Sequence, residues 1–175
     1  DTYADLRDLL TELPHRGDTR VLVLRGEGRS FCSGGDVDEI IGAIGNEKTY
    51  NEGVTNIPAC LTAARNVLAK SSIGLVVVHF PKGAIAVARD GTVTQQPSVR
   101  VPQPAIVSAN GAGDAFAAGM LYGLHEGWEV RRGLALAHAS AAASLRGAST
   151  TDTVDTWQKC LQLAEGWCWN EWPAQ

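Results

Sequence analysis

The 175 residues suit one domain, or one and a fraction, and their 45% hydrophobic and 19% charged content is that of an ordinary globular chain. A formal charge of −4 with no Lys/Arg cluster argues against a nucleic-acid surface, and no apolar run reaches the ~20 residues of a membrane span. Without a charged-then-apolar leader a cytoplasmic setting is expected, although the start at Asp1 and the single methionine, Met120, read like a piece of something longer.

In chain order the pattern is that of an α/β protein. Residues 3–13 carry Leu6, Leu9, Leu10 and Leu13 at helical spacing, and Pro14 ends the run. "RVLVLRG" reads as a buried strand, "EGRSFCSGG" as a glycine-rich loop, and Asp36 as the cap of a short helix. From Ala43 to Asn56 the pattern dissolves into a polar connection, the best boundary in the chain. Two domains are therefore expected, residues 1–45 and 46–175. Pro58 opens a helix, and "IGLVVVHF" has the continuous apolar character of a strand buried in a parallel sheet. "GAIAVARDGTVTQQP" reads as a hairpin turning at Asp90-Gly91, and "PAIVSA" as a short strand. Three helices are expected near 112–124, 127–146 and 152–165.

Cys32, Cys60, Cys160 and Cys168 form no CxxC pair, and His15, His79, His125 and His138 complete no zinc pattern, so no metal ligand set is expected. The informative stretch is "VSANGAGDAFAAG", residues 107–119. Here Gly111-Ala112-Gly113 stands before an alanine-rich helix, with Asp114 in its first turn. A helix N-terminus attracts anions, because its first N–H groups are unpaired and its dipole is positive there. Two readings stay open on these residues alone: an anion site with an acid beside it, or an ordinary helix start whose acid the dipole stabilises. Phe116, Met120 and Leu124 share one helical face, with Gly119 and Gly123 beside them to permit close helix contact.

"NGAGDAFAAGMLYG" resembles the C-terminal signature of the ribokinase-like (PfkB) carbohydrate kinases, whose pattern runs Gly-Ala-Gly-Asp-x-Phe into a small-residue helix. "LVVVHFPKGAIAVARDGTV" is similar to that family's strand–loop–hairpin beside the nucleotide, and "LALAHASAAASLRGAS" to its adenine-side helix, so the resemblance spans about residues 58–163. It implies a partial ribokinase-like three-layer fold with a mainly parallel sheet. It further implies phosphoryl transfer from ATP, with Mg²⁺, to a sugar hydroxyl. The N–H groups of Gly111, Ala112, Gly113 and Asp114 would face the γ-phosphate, and Asp114 would take the hydroxyl proton. Gly83 and Asn110 would border the nucleotide. His138 would touch adenine, where periodicity alone is equally satisfied by a core histidine beside Leu134, Ala141 and Leu145.

Some positions depart from the family pattern. Ser108 and Ala109 replace an Asp-Thr pair that helps bind a monovalent cation in some members, Phe80 replaces a frequent glycine, and Asn46-Glu47-Lys48-Thr49 only half matches an Asn-x-x-Glu motif. The segment 3–42 resembles instead the crotonase (enoyl-CoA hydratase) superfamily, through "RVLVLRGEGRSFCSGGDVDEIIG". In that family the Ser33 position contacts the CoA adenine and the Gly35 N–H supplies half an oxyanion hole. A glycine turn leading into a helix capped by Asp36 accounts for the same residues. The chain thus reads as two partial families joined near residues 43–50. It is expected to bind ATP or ADP weakly and to phosphorylate little sugar by itself, the segments that hold the sugar being absent; a crotonase-type fragment and a non-catalytic fusion are the alternatives. Trp167, Trp169 and Trp172 form either a docking segment or an exposed patch, and exposed sheet edges would favour self-association.

Overall fold

The computed structural model describes residues 50–51, 54–149 and 152–173. The expected helix at 3–13, the strand and glycine loop after it, the helix capped by Asp36, the crotonase-like segment and Asn46–Thr49 all lie outside the described residues. What is described belongs to a unit running from Ile44 to Gln175.

Within the polar connection, β1 (Tyr50–Asn51) and β2 (Val54–Thr55) make a minimal antiparallel pair. Helix α1 (Ile57–Ala69) follows, capped by the Asn56 carboxamide oxygen, which accepts the Ala59 N–H at 3.0 Å, with Pro58 in the first turn. Its buried positions, Ile57, Cys60, Ala64 and Leu68, recur at helical spacing.

Strands β3 (Leu75–Phe80), β4 (Gly83–Ala88) and β5 (Val93–Pro97) form a sheet in that order, and both pairings are antiparallel. The hairpin at Asp90-Gly91 stands where the sequence places it. Gly91 takes φ 90°, and the Asp90 carboxylate accepts the Thr92 N–H at 2.9 Å. The mainly parallel sheet does not: among the described residues no strands are parallel. The reason is the Pro81-Lys82 link. Two residues join a tight hairpin, whereas a parallel crossover needs a dozen or more. Nor is β3 fully buried; it is partly exposed, with His79 the most exposed of its residues.

The apolar run of β3 has a different cause. Leu75 and Val77 pack with Ala84, Ala86, Phe116, Met120 and Leu134, while Val76 and Val78 pack with Ala64, Leu68 and Val87. Both sheet faces are therefore covered, α1 on one side and two later helices on the other, which is a three-layer α/β arrangement.

"PAIVSA" does not form a strand. Gln103–Ala105 make a 3₁₀ turn, and Ile106 to Ala109 then pair with no strand among the described residues. Pro102 and Pro104 withhold two donors, and the Val107 and Ser108 N–H groups go instead to the Leu145 carbonyl, at 2.8 and 3.2 Å. Helices α2 (Ala112–His125), α3 (Val130–Ser144) and α4 (Trp157–Trp167) match the three expected ones, with α3 and α4 shorter at their starts. Gly127, at φ 68°, supports the turn between α2 and α3. Helix α3 is buried nearly all round, between the sheet and α2 on one side and α4, through Cys160 and Ala164, on the other.

The tryptophan-rich segment docks. Trp169 bridges Val99 in antiparallel fashion, the Asn170 N–H donates to the Ser98 carbonyl at 2.8 Å, and Trp167 packs on the α3–α4 core.

Candidate functional site

The site is built on the turn into α2. Gly111 adopts φ 77°, ψ 0°, the left-handed conformation that a side chain would strain, and so swings the chain from its extended approach into the helix. The Asn110 N–H is held by the Ser108 hydroxyl at 3.1 Å, and the helix begins with the Ala115 N–H on the Gly111 carbonyl at 2.9 Å. No side chain caps this helix, and among the described residues the Gly113 and Asp114 N–H groups have no backbone acceptor. Two donors at the positive end of a 14-residue helix are thus left for solvent or a ligand.

Beside this helix start lies a cleft of about 440 Å³. Ala112 and Gly113 line one side, the Phe80-Pro81 turn and Ser98 another, and Ala142 and Leu145 of α3 a third. A row of three rings runs along it. His79 stacks on Phe116 with ring centres 4.6 Å apart and 24° between planes, and Phe116 meets His138 edge-on at 4.9 Å and 73°.

His138 is only 4% exposed, and its Nε2 is buried with no hydrogen-bond partner. Burial pushes its pKa down from 6.5 to about 4, the neighbouring His79 adds to that, and the Gln96 backbone carbonyl opposes it. Burial also holds His79 below the ordinary histidine value. At neutral pH both rings are therefore uncharged, and His138, whose ring lines the cleft, carries one buried polar atom without a partner. Such an atom is costly to leave unpaired, and a ligand that pairs with it recovers that cost.

The proposed site residues fall into three groups. Ala112, Gly113 and His138 line the cleft together. Gly111, Asn110 and Asp114 belong to the same turn, with Asp114 exposed in the first turn of the helix. Gly83 lies elsewhere: a Cβ there would come 2.7 Å from the Trp172 ring and 2.8 Å from the Gln96 carbonyl, so the glycine is needed to seat the indole. Phe80, in place of a glycine, turns its ring edge-on to Trp172 at 5.8 Å.

Two contributors were not legible as site residues. His79 enters by stacking on Phe116. Ser98 closes the wall, its hydroxyl donating to the Pro81 carbonyl at 2.8 Å and its N–H to the Lys82 carbonyl at 3.0 Å. Both depend on contacts far apart in sequence, and only the histidine's place one residue before Phe80 hinted at its part.

The family model for pfkB family carbohydrate kinases matches residues 38–157, more than half of the chain. This chain belongs to the pfkB carbohydrate kinase family. The matched region begins inside the stretch that resembles a crotonase and contains the whole cleft and the turn into α2. Among curated pfkB-like relatives, the adenosine kinase of Schizosaccharomyces pombe is 32% identical over 117 residues, which are 67% of this chain and 34% of that protein. The 5-dehydro-2-deoxygluconokinase of Geobacillus thermodenitrificans is 32% identical over 92 residues, 52% of this chain and 26% of that one. The chain thus spans about a third or less of the length of these relatives. Among solved structures, ribokinase from Cryptococcus neoformans var. grubii in complex with ADP superposes with a TM-score of 0.52 at 18% identity, over 63% of this chain and 38% of that one. Phosphofructokinase-2 from Escherichia coli in complex with potassium gives 0.52 at 19%, over 73% and 38%. These likenesses establish the pfkB-type, ribokinase-like fold.

Proposed function

We propose that the cleft binds ATP or ADP and that this chain carries the nucleotide-binding and proton-accepting part of a kinase acting on a sugar or nucleoside hydroxyl. One observation carries the reading: Ala112 and Gly113 at the uncapped start of α2 line the same cleft as the aromatic row of His79, Phe116 and His138. An ATP molecule offers both complements, an anionic phosphate chain and a polar-edged aromatic base. Phosphate oxygens would accept from the Gly113 and Asp114 N–H groups, and the base would lie along the His79–Phe116–His138 row. The adenosine kinase similarity and the ADP complex of a structural relative support a nucleotide ligand.

In the transfer itself, an acceptor oxygen bonds to the γ-phosphorus as the bridging bond to the β-phosphate breaks, and Asp114 takes the hydroxyl proton. Protein catalysis of this step is largely positioning and charge stabilisation. The helix N-terminus supplies fixed donors for the charge that shifts, and Asp114, in the same first turn, orients the acceptor. A magnesium ion would be held largely by phosphate oxygens and water, with Asp114 the carboxylate of this turn, and would neutralise phosphate charge. Among the described residues no group of three His, Cys, Asp or Glu side chains is placed to hold a metal ion by itself.

Gly113→Ala tests the phosphate position. A Cβ at Gly113 would meet only His79, at 3.7 and 3.8 Å, an ordinary contact. The variant should therefore fold as well as the parent, or better by up to ~1 kcal/mol from helix propensity. It should nonetheless bind ADP–Mg²⁺ about tenfold more weakly by calorimetric titration, a loss of ~1.4 kcal/mol. Equal affinity in the two proteins would remove the phosphate from the helix start. Asp114→Asn is a separate check. It should leave ADP affinity nearly unchanged and lower any measurable transfer by about 10²-fold or more, and undiminished transfer would exclude Asp114 as the base.

A further inference from the structure

We propose that His79 is a binding residue for the anionic end of the ligand, its ring Nε2 donating a hydrogen bond to an oxygen held at the start of α2. The inference rests on the nucleotide reading of the cleft and deepens it, adding a side chain to a phosphate position otherwise made of backbone N–H groups.

Strand β3 alternates its faces, and Leu75, Val77 and His79 share the one that meets α2 and α3. Leu75 and Val77 join the apolar cluster around Phe116, and an aliphatic third residue would serve that packing as well. An imidazole stands there instead, stacked on the Phe116 ring at 4.6 Å, and its cross-strand neighbour, Ala84, offers no side-chain partner. Among the described residues neither ring nitrogen is hydrogen-bonded, and burial alone moves the His79 pKa, downward. A polar ring is thus held in place by an aromatic contact while its donor stays unused.

Gly113 shows where that donor lies. The atoms nearest to a Cβ built on this glycine are the Cε1 and Nε2 of His79, at 3.7 and 3.8 Å, so this edge of the ring lies against the first turn of α2. Turning the ring over exchanges those two positions, and a nitrogen faces the turn in either orientation. The Gly113 and Asp114 N–H groups have no backbone acceptor among the described residues. Two backbone donors and one imidazole donor therefore stand together at one edge of the cleft, a set suited to phosphate oxygens. An anion there would also favour the charged imidazole and raise its pKa, which an uncharged ligand would not do. The titratable or charged groups next to His79 are Asp114, adjoining Gly113; Lys82, three residues on in the turn; and His138, across the Phe116 ring with a pKa of about 4. Strand β4 brings none.

The test follows the His79 ring by NMR in the full chain from about pH 6 to about pH 8.5, free, with adenosine and with ADP–Mg²⁺. ADP should raise the His79 pKa by about one unit above its value in the free chain, and adenosine should leave it unmoved. The His79→Phe variant keeps a ring on Phe116 and loses the nitrogens. With an unchanged thermal melt it should bind ADP about tenfold more weakly by calorimetric titration, and adenosine as the parent does. The proposal is overturned if ADP binds and leaves the His79 pKa at its free-chain value, or if His79→Phe binds ADP as tightly as the parent. In both of those results the parent still binds ADP, so the nucleotide reading stands. Binding of neither ligand would overturn that reading and this inference together.

Discussion

Valine in place of Gly119 is expected to destabilise the protein by about 3 kcal/mol, at the upper end of what overpacking costs. A Cβ at this position would stand 2.8 Å from the Ala137 Cα, 2.9 Å from the Leu136 carbonyl oxygen and 3.0 Å from the Ala137 N. All three are backbone atoms of α3, so no side chain can rotate away and the two helices must separate. One turn on, the same contact recurs between Gly123 and the Gly133 Cα at 2.8 Å. Opening the α2–α3 seam also uncovers Phe116, Met120, Leu134 and Ala137, which pack together against Ala84 and Ala86. Against a typical total stability of roughly 5–15 kcal/mol the loss is large. Thermal melts should show Gly119→Val far below the parent and Gly119→Ala between them. A melting temperature within about 2 °C of the parent for the valine variant would mean that the close approach is not as drawn.

Acidification should destabilise the fold through the charging of His138. His138 has a folded pKa of about 4 against 6.5 for an unhindered imidazole, because burial opposes the charged form. A group depressed in the folded state contributes stability that is present above its unfolded pKa and is lost as the pH falls through its folded one. The window is therefore pH 6.5 down to 4, and the full gap corresponds to about 3 kcal/mol, of which about 2 is gone by pH ~5. His79, also held down by burial, adds to the loss with the same sign. The exposed Asp90 and Asp155 carboxylates do not confuse the result. The Thr92 N–H and the Lys159 ammonium hold them below the ordinary carboxylate value, so they protonate beneath this window. Urea titrations at several pH values should show a steep slope for the parent and a shallower one for His138→Phe. Parallel slopes would mean that His138 is not the group being charged.

What the sequence revealed was local. Asn56 and Pro58 mark the start of α1, Asp90-Gly91 the hairpin, and Gly111 the entry to α2, because each acts through its own backbone within a few residues. The glycines of α2 announced a close helix contact, and Gly119 and Gly123 make it. What could not be read was relational. The run Leu75–Phe80 is apolar because both sheet faces are covered, and that pattern does not tell a parallel neighbour from an antiparallel one. Only the two-residue link at Pro81-Lys82 decides it. "PAIVSA" has strand propensity, but a strand exists only when another offers it a ladder. At the site the motif itself was plain, whereas the row of His79, Phe116 and His138 joins three distant segments. Gly83, matched to a family glycine, owes its place to an indole almost ninety residues later.

Ser98 is the knot of the cleft wall: it holds the Pro81-Lys82 turn with its hydroxyl and N–H, and in turn receives the backbone N–H and the carboxamide of Asn170. During synthesis, then, the helix start at Gly111–Asp114 emerges from the ribosome more than fifty residues before the wall opposite it can be fastened. A nascent chain would expose this turn early, but the wall opposite it could not be fastened until residue 170 had cleared the exit tunnel. The cleft wall would be completed only after the helix start it faces had already formed.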